Sequence, residues 1–268
     1  MANVSVTVEI ETRTERDLSN AFQGVADDKL VKVGILLNVG KKMMKLYTDP
    51  VSTTCRPVMQ FIADNNIPCE MEVVDILKGA HYEPAYTSKN PNRLVPMLED
   101  GDFRLTESAA ILRYLAEKIG SAAYPEDLKQ RARVNEAMDW FNSNFYKDWG
   151  YGLVYPQLFP HHKRPDEKAH AGTILWAQDR SKVWLQVLND HWLSGSKKYL
   201  CGDQISIADY LGSAIMSLGE LIHCDLSKYP SVQRWIGNVK QQPNYEKIND
   251  AAFNGFAAST KGQAWQTL

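Results

Sequence analysis

The sequence predicts an α/β domain over residues 44–121 joined to an all-helical domain over 126–255. Three features carry that prediction. Short apolar runs of strand length alternate with helical periodicity from Met44 to about Lys118. The stretch LVPMLEDGDFRLTES, Leu94 to Ser108, reads as strand, tight Asp100-Gly101 turn, second strand and helix start. After Tyr124-Pro125 the strand signals stop and only helical patterns follow.

Taken in order, MKLYT is a short buried strand, and Ser52 opens a helix running to about Asn65. CEMEVVDI forms a second strand, and KGAH leads into a short helix near Glu83 to Ser88. Pro96 stands at the start of the third strand, where a residue without an N–H cannot serve as an ordinary ladder position and so needs another reason. Thr106-Glu107-Ser108 opens a helix whose Ala110, Ile111, Tyr114 and Leu115 recur at helical spacing. The order βαβαββα is a βαβ half, an antiparallel hairpin and a closing helix, which gives a small mixed sheet flanked by helices. Beyond Pro125, helices are expected over 126–150, 166–193, 206–222, 230–240 and 243–255, punctuated by Pro156, Pro160, Pro165, Pro230 and Pro243. In QISIADY, Ser206 and Asp209 have capping-box spacing, and Ile205 and Tyr210 that of a hydrophobic staple. Residues 1–43 read as an N-terminal extension without catalytic role, in which Val4, Val6, Val8 and Ile10 alternate like a half-buried strand. Residues 256–268 read as a C-terminal tail.

Composition excludes several classes of function. A chain of 268 residues, 44% hydrophobic and 23% charged, is that of an ordinary globular protein. A net charge of −2 offers no electrostatic case for nucleic acid or an anionic membrane as partner. The start lacks the basic region and apolar core of a signal peptide, and no apolar run is long enough to span a bilayer. Cys55, Cys69, Cys201 and Cys224 lie far apart without metal-ligand spacing and read as reduced thiols of a cytoplasmic protein. No metal is expected: His161-His162 falls in a proline-rich loop, read as surface, with no third ligand evident.

An α/β unit of this order, with Pro96 at its third strand, resembles the thioredoxin fold. There the proline is cis, and the residue before it, here Val95, pairs through its backbone with an extended ligand. From Met44 to about Ala251 the chain resembles the cytosolic glutathione transferases, closest to the theta class and the related bacterial dehalogenases. The matching pieces are DPVSTTCR, DILKGAH, NPNRLVP, DGDFRLTESAAIL and ISIADY, in that order.

The resemblance implies a glutathione transferase with glutathione as co-substrate, acting as a homodimer on a small apolar electrophile. It implies that Glu107 accepts from the γ-glutamyl ammonium of glutathione and that Ser108, in the first turn of a helix, holds its carboxylate. Val95 and Pro96 would hold the cysteinyl backbone, and His81 the glycyl carboxylate. Arg93 would supply a cation beside Leu94, which stands where the family carries Lys or Gln. Ser52 becomes the activating hydroxyl, donating to the bound thiolate; read alone it is a helix cap. The aromatic run Trp140 to Phe159 is the candidate electrophile lining, through Phe145, Tyr146, Trp149, Tyr151, Tyr155 and Phe159; helical core packing explains aromatics equally well. Tyr146 takes the place of a theta-class arginine, which weakens a dehalogenase reading. Arg56 is expected to be structural. Two alternatives remain at this stage: a non-catalytic protein-binding or ligand-carrier module, and thiol–disulfide exchange through Cys55.

Overall fold

The computed structural model describes residues 43–268; the extension expected over 1–43 lies outside the described residues apart from Met43. Four strands form one sheet in the order β2-β1-β3-β4, with β1 Met44–Thr48, β2 Cys69–Val73, β3 Met97–Asp100 and β4 Phe103–Thr106. β1 and β2 are parallel and joined by helix α1, Cys55–Asp64. β3 runs antiparallel to both β1 and β4. A short helix, α2 (Pro84–Thr87), precedes β3, and α3 (Ser108–Lys118) follows β4. The βαβαββα order read from the sequence is therefore present.

Side chains alternate across a strand, and here each face has its own core. Leu46 pairs with Leu98, and both are fully buried with Phe61, Ile111, Leu112 and Leu115. Tyr47 pairs with Met97, and these face the other way, against Cys55, Val74, Tyr86 and Val95. Each such apolar side chain contributes about 1.5–3 kcal/mol through burial. β2 lies at the edge, so Met71 and Val73 stay exposed and Lys45 bridges to Glu70 and Glu72.

Two local readings are corrected. Asp100 pairs with Phe103, so the hairpin turn is Gly101-Asp102 and not Asp100-Gly101. Its first residue, Gly101, has φ +68°, which a two-residue turn of this hand requires and a side chain would disfavour. Ser52 does not open α1 as a helical residue. It lies in a turn before Cys55, although its carbonyl accepts from the amides of Cys55 and Arg56 and so begins the helical ladder.

The remainder is helical, as expected. Helix α4, Leu128–Trp140, continues through wide π-type turns over Phe141–Phe145 and Lys147–Val154 into α5, Tyr155–Leu158, well beyond the expected end at 150. The long α6, Glu167–Val187, runs on through Leu188–Trp192. The segment expected over 206–222 is two helices, α7 Ile207–Met216 and α8 Leu218–Leu221. Then come α9 (Pro230–Lys240), α10 (Tyr245–Asp250), a wide turn Ala251–Phe256 and a last short helix, α11 (Ala257–Ser259).

The start of α7 carries the capping box read from the sequence. The fully buried carboxylate of Asp209 accepts from Ser206 N and Oγ at 2.8 and 2.7 Å, from Leu200 N at 2.8 Å and from Trp235 Nε1 at 2.9 Å. Burial pushes this carboxyl above its ordinary range, and the four donors oppose that push. Arg56 joins α1 to the helical region, its Nη1 donating to Ser217 Oγ at 3.2 Å and Asn249 Oδ1 at 2.5 Å. Among the described residues no helix is long and apolar enough to cross a membrane.

Candidate functional site

The loop from β1 to α1 is held before it is used. Asp49, buried, accepts from Val51 N at 2.8 Å with one carboxylate oxygen and from Ile76 N at 2.9 Å with the other. Its carbonyl accepts from Ser52 N at 3.0 Å. These three bonds set Ser52 at the mouth of α1, buried to 9% exposure, on the wall of a cavity of about 460 Å³.

The same wall carries most of the expected binding residues. The Val95-Pro96 peptide is cis, and both residues line the cavity with His81, Arg93, Glu107 and Ser108. Among the described residues the Val95 amide meets no protein acceptor, while its carbonyl accepts from Thr54 Oγ1 at 3.0 Å. The preceding carbonyl, that of Leu94, is taken by Tyr86 Oη at 2.6 Å and Asn90 Nδ2 at 2.8 Å, so Asn90 organises the approach to the proline. Leu94 itself lines the cavity and is 60% exposed.

Glu107 holds φ +67°, a conformation that costs a residue with a side chain about 1–3 kcal/mol and collects at functional sites. That backbone places Glu107 on the cavity wall immediately before buried Ser108, the first residue of α3. His81 is part-buried with no partner for Nδ1 among the described residues. Burial, with His161 adding repulsion, lowers its pKa below the ordinary imidazole value and favours the neutral ring.

The facing wall comes from the helical domain: Tyr146, Tyr151, Tyr155, Phe159 and Phe256 line it. Gly150 makes room here, since a Cβ at that position would lie 2.5 Å from the Tyr146 ring. Tyr155 donates to Thr53 Oγ1 at 2.9 Å, and the Tyr146 and Tyr155 hydroxyls are 2.6 Å apart. Burial pushes the Tyr155 phenol up to about 12 and Tyr146 well above its ordinary value, so both remain protonated hydroxyls. Tyr151, half-exposed, stacks edge-on against Tyr155 and feels the charge of Glu107 across the cavity.

Some sequence expectations fail here. Phe145 and Trp149 do not line the cavity; both are fully buried, 5.5 Å apart ring to ring, and belong to the core between helices. The run passes through wide turns, and of its aromatics Tyr146, Tyr151, Tyr155 and Phe159 line the cavity while Phe145 and Trp149 do not. His161 and His162 are not simply surface residues. Both line the cavity, His162 packing on Tyr151 and Tyr155 at 5.6 and 5.2 Å. Cys55 is fully buried, its thiol pushed up to about 11, which keeps it an unreactive thiol. Thiol–disulfide exchange therefore loses its nucleophile. Sequence reasoning gave no role to Asp49, Asn90, Thr53 or Thr54; all but Asn90 lie in the quoted DPVSTTCR segment, which was read only for its serine, cysteine and arginine. Among the described residues no group of three or more His, Cys, Asp or Glu is arranged to hold a metal.

Comparison with known proteins identifies the family of the chain. Residues 43–117 match the family model described as glutathione S-transferase, N-terminal domain, and residues 163–243 match the C-terminal domain of the same family. Glutathione S-transferase theta-1 of Homo sapiens is 37% identical over 182 residues, covering 67% of this chain and 72% of that protein. The theta-1 enzyme of Mus musculus is 36% identical over 217 residues, covering 78% and 87%. Among solved structures, human glutathione-S-transferase T1-1 in its apo form superposes with TM-score 0.70 at 30% identity, over 83% of this chain and 93% of that one.

Proposed function

The chain belongs to the glutathione S-transferase family and is a glutathione transferase, and from that premise we propose how its cavity divides the work. Glutathione lies along the wall of the α/β domain. Glu107 accepts from its γ-glutamyl ammonium, and Ser108 with the free amides of α3 holds the adjoining carboxylate. The Val95 amide, beside Pro96, bonds the cysteinyl backbone, and His81 with Arg93 meets the glycyl carboxylate. Ser52 donates its hydroxyl to the sulfur and holds it as thiolate. The electrophile occupies the aromatic wall between Tyr146 and Tyr151. The thiolate attacks its electrophilic carbon, a new S–C bond forms, and the leaving group departs with the electron pair of the broken bond. Ser52 is neither deprotonated nor covalently changed.

The observation that supports this reading is the meeting of Ser52, Val95-Pro96, Glu107 and Ser108 on one wall of a single cavity. A homodimer is part of the same proposal, and it accords with large apolar side chains left exposed, Leu128 at 78% and Trp176 at 69%. Four free cysteines accord with a cytoplasmic setting.

The binding half is tested by calorimetry with glutathione. Ser108→Ala removes a hydrogen bond to a charged group, which is worth about 1.5–3 kcal/mol, so affinity is expected to fall roughly 10- to 100-fold. Glu107→Gln should weaken binding in the same direction. Affinities within twofold of wild type for both variants would place the ligand elsewhere.

A further inference from the structure

We propose that Thr54 is a positioning residue that competes with the bound sulfur for the Ser52 hydroxyl proton, and so governs how readily the thiol ionises. The inference rests on the reading of Ser52 given above and deepens it.

The geometry leaves one assignment of protons. Thr54 Oγ1 lies 3.0 Å from the Val95 carbonyl, which can only accept, so the Thr54 proton is committed there. A hydroxyl has one proton. The 3.1 Å contact between Ser52 Oγ and Thr54 Oγ1 is therefore made by Ser52 donating and Thr54 accepting. The other neighbour of the Ser52 hydroxyl is the buried sulfur of Cys55, a weak acceptor that offers little competition. Before ionisation the Ser52 proton points at Thr54, and its lone pairs are left to accept the thiol S–H.

Ionisation changes the preferred partner. The thiol proton leaves to solvent, and Ser52 swings its O–H from Thr54 to the sulfur, exchanging a neutral hydrogen bond for a charge-assisted one. The bond given up to Thr54 is subtracted from what Ser52 contributes to the thiolate. Thr54 thereby moderates ionisation of the bound thiol, a role separate from supplying the stabilising donor.

The test is a double-mutant cycle that reads the pKa of bound glutathione from thiolate absorbance. Thr54→Val keeps the branched shape and removes the acceptor, and the bound thiol is expected to ionise roughly half to one unit lower than in wild type. Thr54→Ser should behave as wild type. In a Ser52→Ala background, Thr54→Val should have no effect, because the competition has no proton to act on. Loss of the bond to Val95 alters affinity for the thiol and thiolate forms alike and does not move this readout. Should Thr54→Val fail to fold, Thr54→Ala carries the same expectation. An unchanged or raised pKa in the Thr54 variants, with Ser52→Ala still raising it, would overturn the proposal and leave Thr54 a structural residue. A Ser52→Ala variant that leaves the pKa unmoved would instead overturn the reading of Ser52 on which the proposal stands.

Discussion

Ser52→Ala is expected to lower kcat/KM near neutral pH by about 10- to 25-fold while leaving glutathione affinity close to wild type. The loss follows from one hydrogen bond to a charged sulfur, worth about 1.5–3 kcal/mol, against 1.36 kcal/mol per pKa unit. An unperturbed cysteine thiol ionises near 8.5, so the bound thiol of the wild type is placed at roughly 6.5–7.5. The activating bond stabilises the deprotonated form. Its removal moves the rising limb of the kcat/KM profile to higher pH by about one to two units, and activity converges with wild type above that range. That shape separates thiol activation from simple damage to the fold, which would depress the profile at every pH. Small residual activity is expected, since the ligand remains seated by Glu107, Ser108 and Val95.

Asp209→Ala is expected to produce the largest loss of stability of any single polar substitution in the described chain. The carboxylate sits at 0% exposure and receives four donors from three separate segments: the loop at Leu200, the cap at Ser206 and the indole of Trp235 on α9. Alanine leaves the Leu200 amide and the Trp235 indole buried without an acceptor, about 1–3 kcal/mol each, and removes a helix cap worth about 1 kcal/mol. Together these amount to about 3–7 kcal/mol, a large part of the 5–15 kcal/mol that holds a typical domain folded. A urea unfolding series measures it: the midpoint should fall sharply at unchanged slope. Asp209→Asn, which keeps one acceptor oxygen but turns an N–H₂ toward donors, should fall between. A midpoint loss equivalent to less than about 1 kcal/mol for Asp209→Ala would show that the network carries little of the fold.

How much of this was legible in the sequence depends on the range of the interaction. The strands and the capping box were legible because alternation and short spacing are local: Leu46 and Tyr47 face opposite cores as their neighbours dictate. The hairpin turn was misplaced by one residue because Asp-Gly and Gly-Asp are both good turn pairs, and only the pairing of Asp100 with Phe103 decides between them. Ser52, Glu107 and Ser108 could be singled out because they sit in the motifs that carry the family resemblance, and the structure brings the three to one cavity. Phe145 and Trp149 were misread as lining because the wide turns of their helix break the 3.6-residue period on which a face assignment relies. His161 and His162 looked solvated because only the return of their loop onto Tyr151 and Tyr155 makes them part of the site. Asp49 and Thr54 were silent for a related reason. A small polar residue in a turn reads as a cap until its distant partners, Ile76 and Val95, are known.

Thiolate absorbance of glutathione bound to the wild-type chain, followed in the ultraviolet across pH, tests the central claim most directly. The predicted result is ionisation about one to two units below that of the free tripeptide, lost in Ser52→Ala. A bound thiol that titrates together with free glutathione would contradict activation by Ser52, whatever else the cavity binds.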